Sequence, residues 1–124
     1  MGLGDIRQES SRDPALKAAV DQSLFREVNE RVEEINSGLG RVAPLSDFVC
    51  ECADPECVQR LSLTVAEYEG VRENGRRFVV VPGHVASDER VVQENERFAI
   101  VEKTAGAADV AEKLDPRDSG QSPA

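Results

Sequence analysis

The 124-residue chain has no tryptophan, one tyrosine, one histidine and one methionine, and aromatic residues make up only 4% of it. A core must therefore be built mostly from Val, Leu, Ile and Ala. A single histidine also limits catalysis, because any Ser-His or Cys-His pair would have to use His84. No apolar run approaches the roughly 20 residues that span a bilayer. The segment Met1 to Ser10 lacks the basic-then-apolar order of a secretory signal. Bases are outnumbered by acids, 15 to 24, for a net charge of −9. Nucleic-acid binding and anionic membrane surfaces both ask for the opposite balance. The one dense basic stretch, Arg72, Arg76 and Arg77, is too small to reverse it.

Catalytic signatures are missing as well. There is no G-x-S-x-G, no H-E-x-x-H, no P-loop and no dinucleotide fingerprint. The zinc deaminase pattern fails on spacing and order. The carboxylates are plentiful, but none is set off by an apolar surround.

What is present begins with a helix. Asp13-Pro14 combines an N-cap with a proline at the first helical position. No breaker follows until Ser37-Gly38. Phe25, Val28, Val32, Ile35 and Leu39 recur at steps of three and four, which predicts an amphipathic helix with one apolar stripe. The stripe is expected to pack on the rest of the domain, the sharper alternative being a homodimer through a short coiled coil. Phe48–Cys52 and Arg60–Leu63 read as strands. Thr64 to Glu67 has the form of a capping box, opening a helix that ends at Asn74-Gly75. Phe78–Val81 reads as a buried strand. Arg90–Gln93 and Arg97–Val101 read as two more, though the turn between them has no glycine and Asp88–Gln93 could also be helical. Ala105–Leu114 reads as a last short helix. The expected fold is α+β: a long N-terminal amphipathic helix, a small, mostly antiparallel sheet with a zinc-ribbon-like cysteine cluster, and short helices. The expected organisation is a flexible N-terminus over 1–12, one metal-binding domain over 13–114 and a disordered tail over 115–124.

All three cysteines fall within eight residues, as Cys50, Cys52 and Cys57. In an extended segment Cys50 and Cys52 point to the same face, and the Asp54-Pro55 turn can fold Cys57 back toward them. An odd number of thiols without an export signal argues against a disulfide framework and for a reducing, cytoplasmic location. A tetrahedral Zn²⁺ site wants a fourth ligand, and His84 sits just past a strand on a Pro-Gly loop. The expected metal ligands are thus Cys50, Cys52, Cys57 and His84, with Zn²⁺ as the cofactor. Asp47, Asp54, Glu56 or water are the alternatives for the fourth place. Close thiols also allow a redox switch, whereas an iron–sulfur cluster usually asks for four cysteines.

The functional expectation is a non-catalytic, zinc-stapled interaction or regulatory module with an unidentified protein partner. The alternative is a thiol redox sensor that releases zinc on oxidation. A small metalloenzyme with an open zinc position is a further alternative, disfavoured because three thiolates weaken zinc as a Lewis acid.

Four stretches carry a resemblance: Phe48-Val49-Cys50-Glu51-Cys52 with Cys57, Leu61 to Arg72, Phe78-Val79-Val80-Val81-Pro82-Gly83-His84, and Val101-Glu102-Lys103. Over about Arg26 to Arg117 the chain resembles a group of small uncharacterised bacterial proteins, mostly actinobacterial, with no known activity. The resemblance implies that the three cysteines and His84 form one site and implies nothing about function.

Overall fold

The computed structural model describes residues 13–37 and 45–117. The element order is α1 (Pro14–Ser37), β1 (Ser46–Val49), β2 (Arg60–Leu63), α2 (Val65–Val71), β3 (Arg77–Val80), β4 (Glu89–Glu94), β5 (Ala99–Lys103) and α3 (Ala105–Lys113). The fold is α+β. β1 and β2 pair antiparallel, with Phe48 opposite Leu61. A second antiparallel sheet has the order β3-β5-β4. None of these helices is long and apolar enough to cross a membrane.

Local chemistry explains most of the boundaries. Asp13 Oδ1 accepts from the Ala15 N–H at 2.9 Å and starts α1. The capping box forms in full: Glu67 N donates to Thr64 Oγ1 at 3.0 Å, and Thr64 N donates to Glu67 Oε1 at 2.9 Å. The β4–β5 connection manages without glycine because Asn95 Oδ1 accepts from the N–H groups of Arg97 and Phe98. Residues 89–94 are accordingly a strand, with a register shift between Val91 and Gln93 opposite β5.

The main core joins Phe48, Leu61, Leu63, Tyr68, Val71, Phe78, Val80, Phe98 and Val101, with the rings of Phe48 and Tyr68 stacked at 4.5 Å. A smaller cluster of Ala19, Val20, Ala107, Val110 and Leu114 seals α1 to α3.

The expected packing of the α1 stripe needs correction. Val28 is 48% exposed and Ile35 67%, Phe25 and Val32 are half-buried, and Leu39 lies outside the described residues. Among the described residues of the stripe, only Val32 packs against the main core. The inward face is instead Ala19, Gln22, Ser23, Arg26 and Asn29, all essentially inaccessible. This face keeps the same helical period but is polar. Most of its donors meet carbonyls and carboxylates from later in the chain, Ser23 donates back to the Ala19 carbonyl, and Gln22 Oε1 and Arg26 Nε are buried without a partner. Arg26 donates to the carbonyls of Gly75 (2.8 Å) and Ala111 (2.7 Å), and its guanidinium lies 4.6 Å from the centre of the Phe78 ring.

Each arginine of the basic stretch meets an acid. Arg72 pairs with Glu30 and with Asp115, Arg76 with Glu112, and Arg77 with Glu102. Beyond Leu114, where the sequence predicts a tail, Asp115 is buried on Arg72, and Arg117 pairs with Glu30 and Glu69. Gly75 leaves room for this junction: a Cβ there would lie 2.7 Å from Asp115 Oδ2.

Candidate metal centre

The strand expected over 48–52 ends at Val49, so the cysteines lie just beyond it. Their backbone is still held. Cys50 N donates to the Gln59 carbonyl at 3.0 Å, and Glu51 N donates to the Val79 carbonyl at 2.8 Å. The segment is therefore gripped between the ends of β2 and β3. Asp54 then turns the chain: its Oδ1 accepts from Glu56 N at 2.9 Å and its carbonyl from Cys57 N at 3.1 Å. This turn returns Cys57 toward Cys50 and Cys52. On the opposite side, Val81-Pro82-Gly83-His84 closes a β-turn, with His84 N donating to the Val81 carbonyl at 2.9 Å. Gly83 has φ +96°, the left-handed conformation a glycine adopts without steric cost after a turn proline.

These two turns bring all four predicted residues together. His84 Nδ1 lies 3.6 Å from Cys50 Sγ and 3.8 Å from Cys57 Sγ. The ligand atoms of Cys50, Cys52, Cys57 and His84 all lie within 4.8 Å of one another, and together they could hold a metal ion. Asp47, Asp54 and Glu56 stand outside this group, exposed, and Asp54 uses its carboxylate in the turn.

The electrostatics suit a cation. Cys50 and Cys52 are buried, and Cys57 is half-buried. Burial pushes the Cys50 thiol far above its ordinary value. The N–H of Val81, 3.2 Å from its sulfur, pulls the other way, and the neighbouring thiols of Cys52 and Cys57 push it further up. Burial also raises Cys52. Cys50 and Cys52, crowded and buried, resist ionising together. A bound cation supplies the compensating charge that lets them do so. Beside the cluster a cavity of about 260 Å³ is lined by residues including Cys52, Asp54, His84 and Ala86.

Sequence reasoning missed what stands behind the cysteines. Glu51 is 0% exposed. Its carboxylate accepts from Asn29 Nδ2 (2.8 Å), Val79 N (3.0 Å) and Tyr68 Oη (3.2 Å). Burial raises its pKa, against the hydrogen bonds from Asn29 and Val79 and the charges of Arg26 and Arg72. The signal that could have found it was strand alternation. If Cys50 and Cys52 share one face, Glu51 points the other way, into the domain, as an acid with no partner nearby in sequence.

No family model matches the chain, and no curated protein or solved structure matches it either.

Proposed function

We propose that the protein is a small zinc-stapled interaction module, with Zn²⁺ held by Cys50, Cys52, Cys57 and His84 and no catalytic role for the ion. The observation that carries this reading is the convergence of the four donors. For ligands at about 2.3 Å (sulfur) and 2.0 Å (nitrogen) from a tetrahedral ion, a sulfur and a nitrogen stand about 3.5 Å apart and two sulfurs about 3.8 Å. The two sulfur-to-Nδ1 separations of 3.6 and 3.8 Å lie close above the sulfur–nitrogen value, so a small inward movement would seat the ion. The N–H of Val81 on Cys50 Sγ is the kind of hydrogen bond that orients a thiolate ligand. Four protein donors fill the coordination shell and leave no place for an activated water.

Bound there, the ion would act as a clip. It joins the 50–57 segment to the loop at 84 and closes a loop of about thirty residues. The surface on offer to a partner is the outer face of α1, where Leu24, Val28 and Ile35 line a groove with Pro116. A protein partner or a second copy of the chain would dock through these aliphatic groups. One observation favours a second reading, a thiol redox sensor: Cys57 is the least buried of the three thiols. An oxidant would reach it first, and a disulfide to Cys50 or Cys52 would release the ion.

Native mass spectrometry of protein purified under reducing conditions without added metal, beside a His84→Ala variant, tests the proposal. One zinc per chain, with affinity sharply reduced in the variant, is the expected result. Zinc retained equally by the variant would remove His84 and reopen the metalloenzyme reading. Protein free of metal that also fails to take up added Zn²⁺ would refute the staple.

A further inference from the structure

Helix α1 supplies none of the four candidate ligands, yet it holds both segments that carry them. Two buried amides do this. Asn29 reads the backbone of Val49 as a neighbouring strand would: Nδ2 donates to the Val49 carbonyl and Oδ1 accepts from the Val49 N–H, both at 2.8 Å. The same Nδ2 donates to Glu51 Oε2 at 2.8 Å. Val49 and Glu51 are the two neighbours of Cys50, so Asn29 clamps that ligand from both sides.

Gln22, two helical turns earlier, reaches both halves of the centre. Its Nε2 donates to the Glu51 carbonyl at 2.9 Å and to Glu89 Oε2 at 2.8 Å. The other oxygen of Glu89 accepts from Ala86 N at 2.8 Å, on the loop that presents His84. Gln22, Asn29 and Glu51 are 0% exposed and Glu89 is 9% exposed.

Resting on the metal reading above, we propose that Gln22 and Asn29 are positioning residues of the metal centre, and that occupancy of the centre is coupled to docking of α1 from Gln22 onward. Burying an amide N–H group is costly unless its acceptors are in place. Gln22 Oε1 is buried without a partner, whereas Gln22 Nε2 and Asn29 Nδ2 each have two acceptors. Those acceptors sit on the Cys50 segment and, through Glu89, on the His84 loop, which are the two segments an ion would fix to each other. Coupling of this kind is reciprocal: the ion favours the docked helix to the same degree that the docked helix favours the ion. The first two turns of α1 have a different anchor. Leu16, Ala19 and Val20 pack on Ala107, Val110 and Leu114 of the α3 region, an apolar contact that uses neither ligand-bearing segment.

The test compares the zinc affinity of the full chain, by competition with a chelator, in the parent, Asn29→Ala, Gln22→Met and the control Val110→Ala. Amide exchange along α1 is read with and without Zn²⁺. Asn29→Ala is expected to weaken zinc binding about tenfold to a hundredfold. Gln22→Met, which keeps the volume and loses the two Nε2 hydrogen bonds together with the unpartnered Oε1, weakens it less. Val110→Ala, a destabilising change on the other anchor, leaves it unchanged. Zinc removal is expected to raise exchange over residues 22–36 more than over 15–20. Equal zinc affinity in Gln22→Met, Val110→Ala and the parent would overturn the inference even if Asn29→Ala does not fold. So would an exchange response spread evenly along α1. Either of those results, in a parent that binds zinc, leaves the metal reading standing, whereas a parent that takes up no zinc removes both.

Discussion

The two faces of helix α1 are inverted relative to an ordinary surface helix. The face turned into the domain carries Gln22, Arg26 and Asn29, all 0% exposed, while the face turned outward carries Leu24, Val28 and Ile35 at 43–67% exposure. A helix normally docks by burying aliphatic groups. Here the aliphatic part of the docking lies mostly in the first half, on α3, with Val32 adding a contact to the main core. The second half docks through directed hydrogen bonds to backbone and carboxylate groups. The difference teaches that helical periodicity reports a stripe of one chemistry and leaves open whether that stripe faces the core. It also separates two roles. The inner face specifies one orientation of the helix, because each donor must meet a particular acceptor. The outer face takes no part in that orientation.

Substitutions on the two faces should differ accordingly. The largest effect is expected at Arg26. Replacing it with alanine removes donors to two carbonyls and a cation from above the Phe78 ring, and deprives buried Glu51 of a compensating charge. The expected loss is about 3 kcal/mol or more in chemical denaturation. A loss under about 1 kcal/mol would mean that the inner face contributes little to holding the helix.

A smaller effect separates buried from exposed charge. Glu67, held at about 2 by its hydrogen bonds with Arg97, pairs with that residue near the surface. Its folded value lies below the ordinary 4.5, so its stabilisation is present above that value and is lost as pH falls toward 2. Arg97→Ala should therefore flatten the decline in stability between those pH values, with little change in the buried network. Equally steep acid limbs in parent and variant, from urea melts across this range, would rule out the pair as their source.

The smallest effect belongs to the outer face. Val28→Lys and Ile35→Lys should leave monomer stability within about 0.5 kcal/mol. A core-sized loss, together with a smaller hydrodynamic radius in the variant, would show that this face is covered in solution and would break the comparison.

Where local chemistry decides the conformation, the sequence could be read directly. The Asp13-Pro14 start, the Thr64–Glu67 capping box, the strand at Arg60–Leu63 and the turns at Asp54 and Pro82-Gly83 are all of this kind. The candidate ligand set was legible for the same reason, since two short turns and one alternating segment suffice to aim its side chains. The polar core was not legible. The partners of Asn29 lie 20 and 22 residues away, those of Arg26 49 and 85 residues away, and Arg72 meets Asp115 across 43 residues. A buried arginine or asparagine looks like a solvated one until its acceptors are located, because charge and polarity alone favour the surface.

The separation between Arg26 and Ala111 also has a meaning in time. Eighty-five residues lie between the donor and its acceptor. At about 5–20 residues per second of synthesis, the helix emerges several seconds before the carbonyl it will bind. A helix with a wholly aliphatic inner face would spend that interval offering a sticky surface to every neighbouring nascent chain. Arginine, glutamine and asparagine on the waiting face are at ease in water until their partners arrive. The same residues that make the finished interior demanding make the unfinished protein patient.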